Sequence, residues 1–240
     1  MKNWRNSDSV LVSVVIPAFN EEQTVGMVVE RACGVLGELG LTYEVIVVDD
    51  GSHDDTAFVC ERRGARVIGN GCRMGKGVAL RMGFRACRGD VIVTLDGDGA
   101  HQPEEIPRLL KPIINGGFDL SIGLRVFSSE TSPMGKFRML GNLIFSYFIS
   151  LFAGRKVVDS QCGFRAFRAD LVRGMELSSR RFEIESEMLV NAIRSGCRFV
   201  EVPITVRDGS SPSKVNVFAD GLIIFSKTLL GVIFSYRKDA

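Results

Sequence analysis

Residues Val91–Leu95 are apolar or β-branched, and the chain then passes at once into Asp96-Gly97-Asp98-Gly99. A short apolar run that stops at a glycine-rich turn reads as a buried strand of an α/β sheet. Asp96 and Asp98 then stand at the carboxyl end of that strand, where open α/β sheets bind their ligands. Two carboxylates two residues apart, on a turn loosened by Gly97 and Gly99, can face one point. That suits a hard divalent cation carrying a diphosphate, whose oxygens complete the metal shell. A solvated acidic turn is the alternative reading, and the rest of the chain decides between the two.

The pattern repeats upstream. Leu11–Ile16 is an apolar strand that Pro17 is expected to end, followed by a helix capped by Asn20 and running to Glu38 before Gly40. Tyr43–Val48 is a second strand, closed by Asp49-Asp50-Gly51, and Asp54 or Asp55 can cap the next helix. A short strand at Arg66–Ile68, a glycine-rich loop at Gly69–Gly77 and a helix at Val78–Cys87 lead into the strand at 91–95. A helix from Pro103 and a strand at Phe118–Ile122 follow. Strands that alternate with helices predict a mostly parallel sheet with right-handed crossovers and helices on both faces.

Beyond 125 the spacing is less regular. A polar loop (Val126–Lys136) precedes an apolar helix at Met139–Ala153. A strand-like Gly163–Arg168, a helix at Ile184–Ser195, a strand at Arg198–Val206 and a loop at Arg207–Lys214 follow, then an amphipathic helix at about 217–236. No linker or repeat interrupts the 240 residues, which reads as a single domain.

Composition excludes several classes. The net charge of +2, without a long basic run, gives no footprint for nucleic acid. Six cysteines lack any CxxC or zinc spacing and read as reduced thiols of a cytosolic protein, several simply buried. The polar N-terminus has no signal-peptide core, and no stretch reaches the roughly 18 apolar residues of a spanning helix. The two longest apolar stretches, 139–153 and 217–236, can pack on the core or lie in a membrane interface. The loop ending in Gly75-Lys76-Gly77 lacks the Ser or Thr of a P-loop, and no GxGxxG follows the first strand.

Acidic groups accumulate at strand ends: Glu21 after the first, Asp49 and Asp50 after the second, Asp96 and Asp98 after the fourth. Glu21 and Asp50 suit hydrogen bonds from a base N–H or a ribose hydroxyl, whereas turn and cap chemistry is the plainer account of Asp49-Asp50. Basic groups come from the second half, with Arg125 after the fifth strand and Arg207 and Lys214 flanking a Gly/Ser/Pro loop. Such a loop can close over a diphosphate.

Seven motifs in order, PAFNEE, VVDDGSHDDT, GKGVALRMGF, DGDGAHQPEE, DSQCGFRAF, RFEIESEM and EVPITVR, resemble the GT-A glycosyltransferases of family 2. Within them the chain is similar to the dolichyl-phosphate mannosyltransferase and polyprenyl-phosphate glycosyltransferase branch. The resemblance implies a nucleotide-sugar site at Pro17, Phe19 and Glu21 (PxYNE), Val48 and Asp50 (VDD), and Asp96, Gly97 and Asp98 (DxD). It implies that Asp98, with Asp96, holds Mg²⁺ or Mn²⁺, and that Arg125 and Lys214 meet the donor phosphates, with Arg207 at the other end of the same loop as Lys214. Asp159 and Gln161 match the D-x-Q on the acceptor side. Departures are Ala100 where the family often has a metal-ligating Gln, leaving His101, Gln102 or water to complete the shell, Leu124 in place of a serine, and the additional Pro212 before Lys214.

The activity implied is inverting transfer of a hexose from a GDP-mannose- or UDP-glucose-type donor to a polyprenyl or dolichyl phosphate. Asp98 and Arg125 would act on the leaving diphosphate. Asp159, with Glu185 behind it, would be the base only if the acceptor were a hydroxyl. Otherwise Asp159 is a structural partner of Arg165, and Glu183, Glu185 and Glu187 are helix surface. Transfer to a soluble hydroxyl acceptor and a non-catalytic nucleotide-sugar module are the alternatives. The expected location is the cytoplasm, peripheral to the membrane face, with Lys136 and Arg138 near anionic lipid.

Overall fold

The computed structural model describes residues 10–126 and 133–206, with the backbone alone for 133–141 and 152. Arg207, Lys214 and the expected helix at 217–236 therefore lie outside the described residues, as do the side chains of Lys136 and Arg138.

Among the described residues seven strands form one mixed sheet. They are β1 (Leu11–Ala18), β2 (Thr42–Asp49), β3 (Arg66–Gly69), β4 (Val91–Thr94), β5 (Leu120–Val126), β6 (Arg165–Arg168) and β7 (Phe199–Thr205). Their order is β3-β2-β1-β4-β6-β5-β7. The helices are α1 (Val25–Glu38), α2 (Thr56–Arg62), α3 (Lys76–Ala86), α4 (Ile106–Gly116), α5 (Pro133–Ala153), α6 (Ala169–Arg173) and α7 (Ile184–Arg194). The β1-α1-β2-α2-β3 run is parallel, as the alternation predicts. The chain then crosses back through α3 to set β4 on the other side of β1, also parallel. Right-handed crossovers place α1 and α2 on one face and α3 on the other. The strand order reverses between β1 and β4, and this switch point is where a doubly wound sheet leaves a crevice beyond its carboxyl ends.

Val14, Val15, Ile16, Ile46, Val47, Val48, Ile92, Val93 and Leu95 all lie in the core at 3% exposure or less. Continuous burial along each strand explains why these segments are apolar runs rather than alternating patterns.

Several expectations are corrected. Pro17 does not end β1 but lies inside it, opposite Val48. Its missing N–H faces the β4 side, where pairing has already stopped at Val15–Thr94. Asn20 does not cap α1, which begins at Val25; Asn20 adopts φ +50°. Its N–H donates to Ser52 Oγ (2.9 Å), and its Oδ1 accepts from the His53 N–H (2.9 Å). The polar 126–136 loop is shorter than expected, because α5 starts at Pro133. The strand-like 163–168 segment is real but runs antiparallel to both β4 and β5. Arg165 on it is fully buried and donates to three backbone carbonyls, of Ser160, Cys162 and Glu185 (2.7, 2.7 and 2.8 Å). It pins α7 and the 160–162 turn to the sheet. No helix among the described residues is long and apolar enough to cross a membrane.

Candidate active site

Pro17 to Glu21 leave β1, and Asp96 to Asp98 leave β4, on the two sides of the switch point. Thr24 joins them: its hydroxyl donates to the Gly97 carbonyl (2.8 Å). Glu21 lies against the same turn, since a Cβ at Gly97 would stand 2.4 Å from Glu21 Oε2. The DGD turn is thus built onto the start of α1.

Asp98 is half-buried and accepts from the Ala100 N–H (2.9 Å). Asp96 is differently placed. Lys76, at the first turn of α3, bridges Asp96 Oδ1 (2.6 Å) and Glu185 Oε1 (2.7 Å). Burial alone would push the Asp96 carboxyl up, but Lys76 and His101 outweigh it and hold it below its usual range. Asp96 thus carries an ammonium partner, whereas Asp98 has no ion pair among the described residues.

Among the described residues no three His, Cys, Asp or Glu side chains converge as a metal shell. A cation held by one or two carboxylates would have its shell completed by substrate phosphates and water, as Mg²⁺ commonly does. Near Asp96, His101 is 5% exposed, and its Nδ1 has no hydrogen-bond partner among the described residues. Burial holds its pKa below the ordinary imidazole value despite Asp96.

Asp50 is 4% exposed at the end of β2. Its carboxylate accepts from the N–H groups of Met74 (2.8 Å) and Gly75 (2.7 Å) and from Asn70 Nδ2 (3.1 Å). Asp50 thus latches the glycine-rich loop over the β2 turn, and Arg73 of that loop lies over the Phe19 ring, 4.2 Å from its centroid. Asp49 does turn chemistry, accepting from the Ser52 N–H (3.0 Å). Gly51 is held at φ +79°, and a Cβ there would be 2.5 Å from the Cys72 carbonyl carbon. Gly51→Ala is therefore expected to cost about 1–3 kcal/mol by strain and to release the loop. Thermal unfolding and nucleotide titration of that variant check both effects.

Arg125, at the end of β5, is joined to Asp159 by a two-pronged ion pair: Nε to Oδ2 (2.7 Å) and Nη2 to Oδ1 (2.8 Å). The Arg125 N–H also donates to Oδ2 (3.1 Å), and Asn142 of α5 donates to Oδ1 (3.0 Å). Glu201 of β7 accepts from the backbone N–H groups of Asp159 (2.7 Å) and Val158 (2.9 Å), fixing the turn that carries this carboxylate. Burial would raise the Asp159 carboxyl, but Arg125 holds it below the usual range. Asp159 is therefore the partner of Arg125, not of Arg165, and its oxygens are committed. Gln161 is half-buried and donates to Ser186 Oγ (2.6 Å) on α7.

The structure thus brings Pro17, Phe19, Glu21, Val48, Asp50, Asp96, Gly97, Asp98, Arg125, Asp159 and Gln161 to the carboxyl-end region of the sheet. Glu183 and Glu185 are corrected from helix surface to buried residues, at 5% and 3% exposure. Lys76 was not foreseen, although a lysine between two glycines at a helix start was visible. The cysteines are all free, and burial pushes the Cys60, Cys87 and Cys162 thiols up to about 12. These three buried thiols offer no nucleophile.

The sequence pattern described as Glycosyl transferase family 2 matches residues 13–175. A dolichyl-phosphate hexose transferase of Haloferax volcanii is 32% identical over 227 residues, covering 94% of this chain and 95% of that protein. A dolichol-phosphate mannosyltransferase of Pyrococcus furiosus is 35% identical over 201 residues, covering 81% of this chain and 56% of that protein. The chain therefore spans little more than half of that second relative. Among solved structures, glucosyl-3-phosphoglycerate synthase of Mycobacterium tuberculosis, in complex with Mn²⁺, UDP and phosphoglyceric acid, superposes with a TM-score of 0.77. It is 24% identical, with 93% of this chain and 79% of that one covered, which establishes a shared GT-A fold.

Proposed function

Because the chain belongs to glycosyl transferase family 2, and is thereby a glycosyltransferase, we propose that it moves a hexose from a nucleotide sugar of the GDP-mannose or UDP-glucose type to a polyprenyl phosphate, with inversion at the anomeric carbon. The names of the two relatives support the lipid-phosphate acceptor. The observation that carries the reading is the Arg125–Asp159 pair. A carboxylate whose two oxygens are taken by a guanidinium is a poor general base. A phosphate monoester needs none, because with a second pKa of about 6 it is ionised near neutral pH.

Asp98 would hold a divalent cation, Mg²⁺ or Mn²⁺, which supplies positive charge at the diphosphate where negative charge grows as the sugar leaves. Arg125, kept protonated and oriented by Asp159, adds a second fixed positive charge at that end of the sheet. Glu21, Phe19 and Val48 wall the nucleoside side. Asp50 acts there through the loop that it latches, and Arg207 and Lys214 would close the phosphate side.

Helix α5 suits the acceptor. Its inner face carries Asn142 on Asp159 and Ser146 on Ser160. Its outer face exposes Leu143, Ile144, Tyr147, Phe148 and Leu151. An exposed apolar stripe beside the acceptor-side residues would let the helix lie in a membrane interface. A Leu143→Glu/Leu151→Glu variant is expected to lose sedimentation with anionic vesicles while its thermal midpoint stays unchanged. Equal vesicle binding by variant and parent would remove the interfacial role.

The acceptor test compares polyprenyl phosphate with the matching polyprenol. Transfer to the phosphate and not to the alcohol is expected. Transfer to the alcohol at a similar rate would call for a base and overturn the reading.

A further inference from the structure

The segment that follows Asp98 is tied to the last strand of the sheet as well as to α1. The backbone of His101, three residues past Asp98, pairs with that of Val206 as an isolated antiparallel bridge. Its ring lies against Phe164, the residue before β6, with centroids 5.5 Å apart. On the α1 side, Arg31 donates to Gln102 Oε1 (2.6 Å) and to Glu104 Oε1 (2.7 Å). Residues 101–104 are thus held from both sides.

Glu105 completes this junction in an unusual way. It stands at the N-terminal cap position of α4, where a side chain ordinarily accepts from the first N–H groups of its own helix. Its carboxylate makes no such bond. It reaches across to β7 instead, where Oε2 and Oε1 accept from the Thr205 N–H (2.9 and 3.2 Å), and Arg108 donates to Oε1 (3.0 Å). Among the described residues β7 is the outermost strand, so no further strand can accept from that N–H. Glu105 is 8% exposed. Burying a carboxylate to meet one backbone N–H is costly where a neutral acceptor would serve, and what it adds is a stronger, charge-assisted bond.

From this geometry we infer that Glu105 is a positioning residue for the donor diphosphate: it fixes the end of β7 against the Asp98 turn, and so sets the point from which the Arg207–Lys214 loop departs. The inference rests on the nucleotide-sugar reading above, in which that loop meets the phosphates. Thr205 and Val206 are the last two residues before Arg207. One is held by Glu105 and the other by His101, so the carboxylate that would anchor the cation and the root of the basic loop share one frame. A fixed positive charge helps a diphosphate only when it is delivered in register, and a misplacement of about 1 Å can remove most of its contribution. Glu105 acts through the β7 backbone and not by touching the ligand.

The test is a double-variant cycle read by calorimetry, with GDP and UDP as ligands in the presence of Mn²⁺. Glu105→Met removes the acceptor at similar side-chain length. Thr205 is exposed, so water can take up its N–H and the variant is expected to fold. Arg207→Ala in the parent is expected to lower nucleoside diphosphate affinity about tenfold, and Glu105→Met to do the same. In the double variant the second change should add almost nothing, because a loop that leaves β7 out of register no longer brings Arg207 to the phosphates. Glu105→Asp, one methylene shorter, should behave like Glu105→Met, and Glu105→Gln, whose amide oxygen still accepts, should bind like the parent. Thermal unfolding of each variant confirms that it is folded. Additive losses would make Glu105 a tie of the fold alone and overturn the inference, as would parent-like affinity in Glu105→Met. A parent that binds nucleoside diphosphate but is indifferent to Arg207→Ala overturns the inference together with the phosphate role of the loop. A parent that binds neither ligand overturns the nucleotide-sugar reading as well.

Discussion

Replacing Asp98 with alanine is expected to lower kcat about 10³-fold, the scale on which fixed charges act on a developing anion. Stability should barely move. Asp98 sits half-exposed on a turn, and its hydrogen bond from the Ala100 N–H contributes about 1 kcal/mol at most. The neighbouring carboxylate cannot take over, because Asp96 is held by Lys76 at 2.6 Å. The Mn²⁺ affinity of the Asp98→Ala protein, read from the paramagnetic signal of the free ion, should fall with kcat. A large loss of rate with unchanged metal affinity would place the cation elsewhere.

Breaking the Arg125–Asp159 pair is expected to have the largest effect on the fold. Asp159 is nearly sealed, with 3% side-chain exposure, and Arg125 keeps about a quarter of its own. Removing one partner of such a pair leaves a desolvated charge, so Asp159→Ala should cost about 3 kcal/mol in denaturant unfolding. The turn at 158–160 and Asn142 of α5 would lose their common anchor. The double variant Arg125→Ala/Asp159→Ala should be less unstable than the sum of the singles, because neither charge is then left alone. Turnover should fall in all three, through misplacement of the guanidinium. A general base would behave otherwise: Asp159→Asn would lose the chemical step with stability intact.

The same pair sets an acid limit. Arg125 lowers the Asp159 pKa in the folded protein below its unfolded value of about 4. Its contribution is therefore complete above that unfolded value and is lost as pH falls through the lower folded one. Acid unfolding curves of parent and Asp159→Ala should accordingly begin to approach each other below about pH 4 and meet only below the lower folded value.

How much of this was legible from the chain differs by element. β1, β2 and β4 could be read because strands buried on both faces are continuous apolar runs, and the acidic residues at their ends share one edge of a parallel sheet. The direction of β6 could not be read. Four residues carry no periodicity that distinguishes parallel from antiparallel, and its placement depends on Arg165 meeting carbonyls of two other segments. Asn20 looked like a cap because its residue type and spacing were right, but its side chain pairs with the 52–53 loop. Asp159 and Arg125 were each recognised, yet their pairing depends on β5 and the 158–160 turn meeting across the sheet. Glu185 was read as surface because the alternation of Glu183, Glu185 and Glu187 looks polar. At the start of α7 two of the three are turned inward, Glu183 to the Arg180 N–H and Glu185 to Lys76.

The most direct test of the central claim is release of nucleoside diphosphate. Parent and Asp98→Ala proteins are incubated with GDP-mannose, UDP-glucose and related donors, with Mn²⁺ or Mg²⁺, and with or without a short polyprenyl phosphate. Release from one donor that requires the cation, the lipid phosphate and Asp98 together is the predicted result. Release that persists in Asp98→Ala, or that ignores the lipid phosphate, would contradict the account.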